Sequence, residues 1–233
     1  MIEWLGSRPV FPPLSRALED PNGLLAAGGD LSPERLLAAY SHGIFPWYAR
    51  GEPILWWAPA PRMVVYPERL KVSRSLAKTL RNLSYRVSAD TAFRRVIEAC
   101  AAPREPGGET WIVPEMVDAY CRLHELGHAH SFETWIDGEL AGGLYGVAIG
   151  RMFYGESMFS RARDASKIAF VHAVRHLQAM GVRMIDCQMH TGHLESLGAG
   201  LVSREVFVAT LKEGCALPQP ASMWDYHYSN EPA

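Results

Sequence analysis

Residues 129–158 read AHSFETWIDGELAGGLYGVAIGRMFYGESM, and residues 183–189 read RMIDCQM. Ala129 to Ile136 alternates apolar and polar residues, and Asp137-Gly138 is a strong hairpin signal. Leu140 to Ile149 and Met152 to Met158 then continue an antiparallel meander through Gly150. Between the two stretches, about Asp164 to Met180 has the period of a buried helix, closed by Gly181. Strand, strand, strand, helix, strand is therefore the expected order, with Arg183 to Met189 as the last strand.

Outward from that centre, Met63 to Tyr66 reads as a short strand and Ser73 to Leu83 as a helix with Leu76, Leu80 and Leu83 inward. Asp90 is placed to cap a helix carrying Phe93, Val96, Ile97 and Cys100. A Gly-rich loop spans 103–108, and Pro114 opens a helix that ends near Gly127. A last helix, about Ser203 to Glu213, is expected to bury Val206, Phe207 and Leu211. Residues 1–62 are rich in Pro, Gly and Trp and contain one helix, with Ser32 as N-cap, Pro33 in its first turn and Gly43 closing it. Loops such as Gly43 to Tyr48 and Ile54 to Pro59 surround it. The reading is a mixed α+β or α/β chain: a small irregular N-terminal domain, 1–62, and a larger domain, 63–233. The strand–helix–strand order of the larger part is that of the acetyltransferase-like (GNAT) architecture, an analogy of fold alone.

Composition bounds the rest. The 233 residues are 48% hydrophobic and 21% charged, an ordinary globular balance. Residues 1–8 do not resemble a signal peptide, and no stretch approaches the roughly 18 apolar residues of a membrane span. Cys100, Cys121, Cys187 and Cys215 show no CxxC pairing, as expected of reduced thiols in a cytoplasmic protein. The net charge of −2 hides an asymmetry. Residues 61–100 carry nine Lys or Arg against three Asp or Glu, or +6, whereas the remainder carries 14 against 22, or −8. A basic segment on an acidic chain suggests a local polyanion site. Nothing indicates oligomers, and a monomer is the default.

Three features can carry chemistry. Lys71, Arg74, Lys78 and Arg81 are spaced 3, 4 and 3 apart, which places them on one helical face. Such a stripe follows phosphates or is simply solvated, and Arg62, Arg69 and Arg86 would widen it. In a strand, Asp186 and Gln188 share a face, and two polar side chains among buried neighbours are either a structural network or functional. The same alternation sends Glu156 and Met158 to one face. Glu156 there either receives a cation or pairs with an arginine such as Arg161. His124, His128 and His130 lack a carboxylate at a known metal spacing, and neither Gly107-Gly108 nor Gly142-Gly143 forms a nucleotide-binding pattern. No metal and no cofactor is expected.

Taken together the chain resembles the leucyl/phenylalanyl-tRNA–protein transferases. The resemblance rests on Pro21 to Leu25, Gly28 to Ser32, Gly43 to Trp47, Ile54 to Trp57, Leu123 to Ser131, Gly155 to Ser160 and Asp186 to Gln188. It implies transfer of Leu or Phe, and Met less well, from aminoacyl-tRNA to proteins beginning with Arg or Lys, which marks them for degradation. It also implies roles. Trp47, Trp111, Tyr120, Phe153, Met158 and Leu144 are implied as walls of the aminoacyl pocket. Asp186 and Gln188 are implied as a catalytic pair, Glu156 as an essential carboxylate, and the basic helix as the tRNA-binding region. Leu144 stands where the family pattern carries Met, and Ala173 where it carries Phe. These two departures bear on the relative preference for Leu, Phe and Met and not on the reaction.

The chemistry asks little of a catalyst. Aminoacyl-tRNA is an activated ester, and an α-amino group of pKa about 7.7–8.0 is partly free amine near neutrality. An amide such as Gln188 is too weak a base to take a proton, so orientation of the amine is its expected part. A CoA-dependent acetyltransferase on the same fold is the rival enzyme, but Phe159 to Asp164 lacks the glycines of a pyrophosphate loop. The rival from another class is a non-catalytic tRNA- or peptide-binding module.

Overall fold

A computed structural model of the chain describes residues 2–103 and 110–231. The Gly-rich loop expected at 103–108 lies outside them from residue 104 onward, with Gly107 and Gly108.

The N-terminal part holds more regular structure than its Pro, Gly and Trp content suggests. β1 (Glu3–Leu5), β2 (Leu24–Gly28), β3 (Phe45–Pro46) and β4 (Leu55–Trp57) form one sheet in the order β1-β2-β4-β3. The stretches expected as loops around residues 45 and 56 are thus the paired strands β3 and β4. Strands of two to five residues are too short to show a period, so pairing across the sheet makes them. α1 (Pro33–Ser41) is as expected: the Ser32 hydroxyl accepts the Arg35 N–H, and Leu36 and Tyr40 are buried. Gly43 has φ +75°, and a side chain there would strike the ring of Phe207.

The second sheet has eight strands. In chain order the elements are β5 (Arg62–Val65), α2 (Arg74–Asn82), β6 (Arg86–Ala89), α3 (Phe93–Ala101), α4 (Pro114–Glu125), β7 (Ala129–Ile136), β8 (Glu139–Ile149) and β9 (Met152–Ser160). They continue with α5 (Ala165–Ala179), β10 (Met184–Asp186), α6 (Gly192–Ser196), β11 (Gly200–Val202), α7 (Arg204–Cys215) and β12 (His227–Ser229). The spatial order is β11-β5-β10-β9-β8-β7-β6-β12. β7, β8 and β9 are antiparallel, and β10 returns parallel to β9 after α5. This is the acetyltransferase-like order expected from the central stretch.

The Asp137-Gly138 turn has φ +52° and +79°, the twist a two-residue hairpin requires. α2 and α7 are capped by Ser73 and Ser203. Two expectations at helix ends fail. Asp90 does not cap α3. Its carboxylate accepts the backbone N–H of Ser131 and meets His130, because β6 and β7 bring those residues to it. Val206 is 48% exposed, on the outer face of α7, whereas Phe207 and Leu211 are buried. One face of the large sheet packs on α1, α3 and α4 through Tyr145, Val147 and Tyr154; the other packs on α5 through Phe132, Leu144 and Phe153.

Candidate active site

β9 and β10 pair from Met152 with Met184 as far as Tyr154 with Asp186, and then separate. The chain beyond β10 stays with β5: the Cys187 N–H donates to Met63 O (2.9 Å), and Gln188 O accepts the Met63 N–H (3.4 Å). The strand expected to reach Met189 therefore stops at Asp186, and Gln188 adopts φ +62°. Asp186 and Gln188, expected on one face, do not share one. Asp186 is fully buried and turned to Arg62, whereas Gln188 lines the gap that opens toward β9.

A bulge in β9 shapes the other side of that gap. Tyr145 faces Ser157 and Gly146 faces Gly155, so Glu156 is an extra residue. The bulge reverses the alternation after it. Met158 joins Phe153 and Leu144 on the α5 side, while Glu156 turns to the tyrosines on the α4 side. The shared face expected for Glu156 and Met158 is thus undone by one inserted residue.

Glu156 is 7% exposed and, among the described residues, pairs with no arginine. Tyr120 Oη donates to Oε2 (3.1 Å) and Gln188 Nε2 to Oε1 (2.7 Å). Behind Tyr120, its hydroxyl meets that of Tyr40 on α1. Burial among neutral donors pushes the carboxyl up from 4.5 to about 7, although the two tyrosine hydroxyls and the Gln188 amide pull the other way. Arg161, the expected partner, lies over the ring of Phe159.

The gap opens into a cavity of about 440 Å³ with two characters. On the α5 side its wall is apolar: Leu144, Phe153, Met158, Phe170, Ala173 and Ile185. On the other side stand Phe45, Trp47, Trp111 and Glu156, with Gln188 between the two. Five of the six residues implied as pocket walls line it. Tyr120 does not; it is fully buried behind Glu156, as that carboxylate's donor. Phe170, Val174 and Leu177 also line the cavity. They are visible in the sequence as one stripe of α5, but identical in pattern to any core helix face.

α2 carries Arg74, Lys78 and Arg81 exposed, and Lys71 precedes its cap, also exposed. None of the four has an ion-pair partner among the described residues. α2 packs on α5, where Thr79 Oγ1 donates to Asp164 and Lys167 pairs with Asp164 (3.3 Å). His193 lines the cavity, and its pKa is lowered by burial and by the charge of Lys167. The basic stripe of α2 thus lies beside the start of α5, whose Lys167 acts on the cavity residue His193. Arg62 is not part of it: it is 2% exposed, with Nε and Nη2 donating to the two oxygens of Asp186 (2.8 and 2.7 Å).

The histidines acquire a carboxylate that their local spacing lacked. Asp90, His124 and His130 bring donor atoms within 4.8 Å of one another. These atoms are engaged within the protein. His130 Nδ1 meets Asp90 Oδ2 (2.6 Å), His124 Nδ1 meets Ala129 O (2.8 Å), and the two rings stack on Trp224 and Phe93. The arrangement is a hydrogen-bonded brace between β6, α4 and β7.

Two family models match the chain: "Leucyl/phenylalanyl-tRNA protein transferase" over residues 64–212, and its N-terminal domain over residues 29–60. A leucyl/phenylalanyl-tRNA–protein transferase of Chromobacterium violaceum is 74% identical over 231 residues, 99% of each chain. One of Aromatoleum aromaticum is 63% identical over 211 residues, 91% of this chain and 89% of that one. Among solved structures, a GCN5-related N-acetyltransferase-like protein from Streptococcus suis is similar at a TM-score of 0.34 and 17% identity. That likeness covers 70% of this chain and 61% of the other, and adds nothing to the strand order.

Proposed function

This chain belongs to the leucyl/phenylalanyl-tRNA–protein transferase family, which moves an aminoacyl group from tRNA to protein, and we propose that its acceptors are proteins beginning with Arg or Lys. The observation that carries this reading is Glu156. It is the one carboxylate lining the cavity, and no cation neutralises it, among the described residues. Asp186 is not available to an acceptor, since Arg62 holds both its oxygens.

The aminoacyl side chain, Leu or Phe and less readily Met, lies against Leu144, Phe153, Met158, Phe170 and Ala173. An apolar wall separates similar side chains by only about 1–3 kcal/mol per methylene and so admits all three, while the larger cost of burying an unpaired charge excludes charged residues. The tRNA body lies along Lys71, Arg74, Lys78 and Arg81, through contacts to phosphates that carry no base information.

An ionised Glu156 only accepts hydrogen bonds, so the Gln188 group facing it is the NH₂. Gln188 Oε1 is left to accept an N–H of the attacking amine and orient it. The acceptor's α-ammonium, of pKa about 8, gives one proton to solvent, and Glu156 stays ionised to meet the acceptor's side-chain cation. The amine nitrogen then bonds to the ester carbonyl carbon, and the ester C–O bond breaks. The ribose oxygen leaves with that electron pair and takes the second amine proton. The products are a protein extended by one residue and a free tRNA 3′ end.

The reaction takes place in the cytoplasm, on a monomer, and the new N-terminal Leu or Phe marks the product for proteolysis. The test is transfer of radiolabelled leucine from Leu-tRNA to model proteins differing only in their first residue. Label is expected in those beginning with Arg or Lys and at least about tenfold less in one beginning with Glu, given one unfavourable charge contact in a buried site. Equal labelling of all three would refute the acceptor assignment. Lys78→Ala should raise KM for Leu-tRNA and reduce its salt dependence without changing kcat.

A further inference from the structure

Arg62, at the start of β5, has its guanidinium enclosed on every side. Its edge is bidentate with Asp186, and its two neighbours in ring contact are Phe45 and Phe207, each with its centroid 4.8 Å away. Phe45 belongs to the N-terminal sheet and Phe207 to α7, so one side chain ties three parts of the molecule to Asp186. Only arginine has a planar fork that matches a carboxylate while its delocalised plane packs on aromatic rings.

Asp186 passes this constraint on. Its Oδ1 also accepts the backbone N–H of Gln188 at 2.8 Å. That bond holds Gln188 at φ +62°, a left-handed conformation that glutamine adopts only under constraint. The same backbone turn directs the Gln188 side chain to Glu156. Asp186 itself is fully buried and does not line the cavity.

We propose that Arg62 is a positioning residue for the transfer, clamping Asp186 so that the Asp186–Gln188 turn presents Gln188 to the attacking amine. Asp186 then acts through the Gln188 backbone and does not touch substrate. The inference rests on the orienting role given to Gln188 above.

The experiment is a double-mutant cycle on the full chain, with Leu-tRNA and an Arg-initiated acceptor, using Arg62→Lys, Gln188→Ala and the pair. Lysine keeps the charge but loses the fork. Arg62→Lys is expected to lower kcat about 10- to 100-fold, the effect of a small misplacement, with KM for Leu-tRNA unchanged. In the Gln188→Ala background it should lower kcat no further. A protein in which Arg62 merely supports the fold would show a lower Tm with kcat preserved, or the same fall in kcat in both backgrounds; either result overturns the proposal. If Gln188→Ala alone keeps full kcat, the orienting role of Gln188 is what has failed, and the proposal falls with it. Should Arg62→Lys not fold, Arg62→Met with Asp186→Leu removes both charges together and leaves no unpaired ion. That pair is expected to fold and to lose kcat at least as far, and full kcat in it would overturn the proposal.

Discussion

Two carboxylates flank the gap between β9 and β10, and their surroundings are opposite. Asp186 has a bidentate arginine and a backbone N–H. Glu156 has a tyrosine hydroxyl and a glutamine amide, all neutral. Both are buried, so the difference lies in the partners and not in depth. A buried charge paired with a cation serves as an anchor. A buried carboxyl satisfied by neutral groups remains able to change its charge, and burial has placed that change at about pH 7. The residue fixed by charge belongs to the framework; the residue free to titrate belongs to the chemistry.

The comparison breaks most readily at Asp186. Asp186→Ala leaves the Arg62 guanidinium buried without a counter-ion, and is expected to destabilise the fold by about 3–5 kcal/mol. Chemical denaturation checks this; a loss below about 1 kcal/mol, the value of an exposed pair, would show that Asp186 is no anchor.

Glu156 should behave in the opposite sense. Its folded-state pKa is raised, from 4.5 to about 7, so the stabilisation from its bound proton is complete below pH 4.5 and is lost as pH rises through about 7. Glu156→Gln, which cannot ionise, should therefore match the intact protein in stability near pH 4.5 and exceed it by up to ~3 kcal/mol above pH 8. The same variant should lose the limb near pH 7 in the pH dependence of transfer, keeping only that of the acceptor amine. Unfolding curves at pH 5 and pH 8 are enough to decide, and a stability difference independent of pH would remove Glu156 from the titrating role.

Tyr120→Phe sharpens the contrast at smaller scale. It deletes one donor to the ionised carboxylate, at about 1 kcal/mol of stability. The charged form of Glu156 loses support, so its pKa should move above about 7 and the rising limb of the pH–rate profile should shift upward with it. An unshifted limb would mean that Tyr120 does not act on Glu156.

Much of the fold was legible because its elements are long or punctuated. Ser32 caps its helix as expected, Ser73 and Ser203 stand as caps where their helices were expected to begin, and Asp137-Gly138 turned where its residues demand positive φ. The short strands β1 to β4, β6 and β11 carry too few residues for a period, and appear only when a partner strand supplies the hydrogen bonds. Asp90 looked like a cap and became a link to His130, because local capping competed with a contact 40 residues away and lost.

The candidate site divides the same way. The family resemblance supplied the cavity residues Trp47, Trp111, Leu144, Phe153 and Met158; the reading of the residues singled out Glu156, Asp186, Gln188 and the basic spacing of α2. Their directions were decided by tertiary structure. A single bulge put Glu156 and Met158 on opposite faces, the end of pairing after Asp186 separated it from Gln188, and Arg62 left the basic stripe for the core. Side-chain direction in a strand is a parity, and one inserted or unpaired residue reverses it. That residue is set by how neighbouring strands meet, which no local pattern in the chain records.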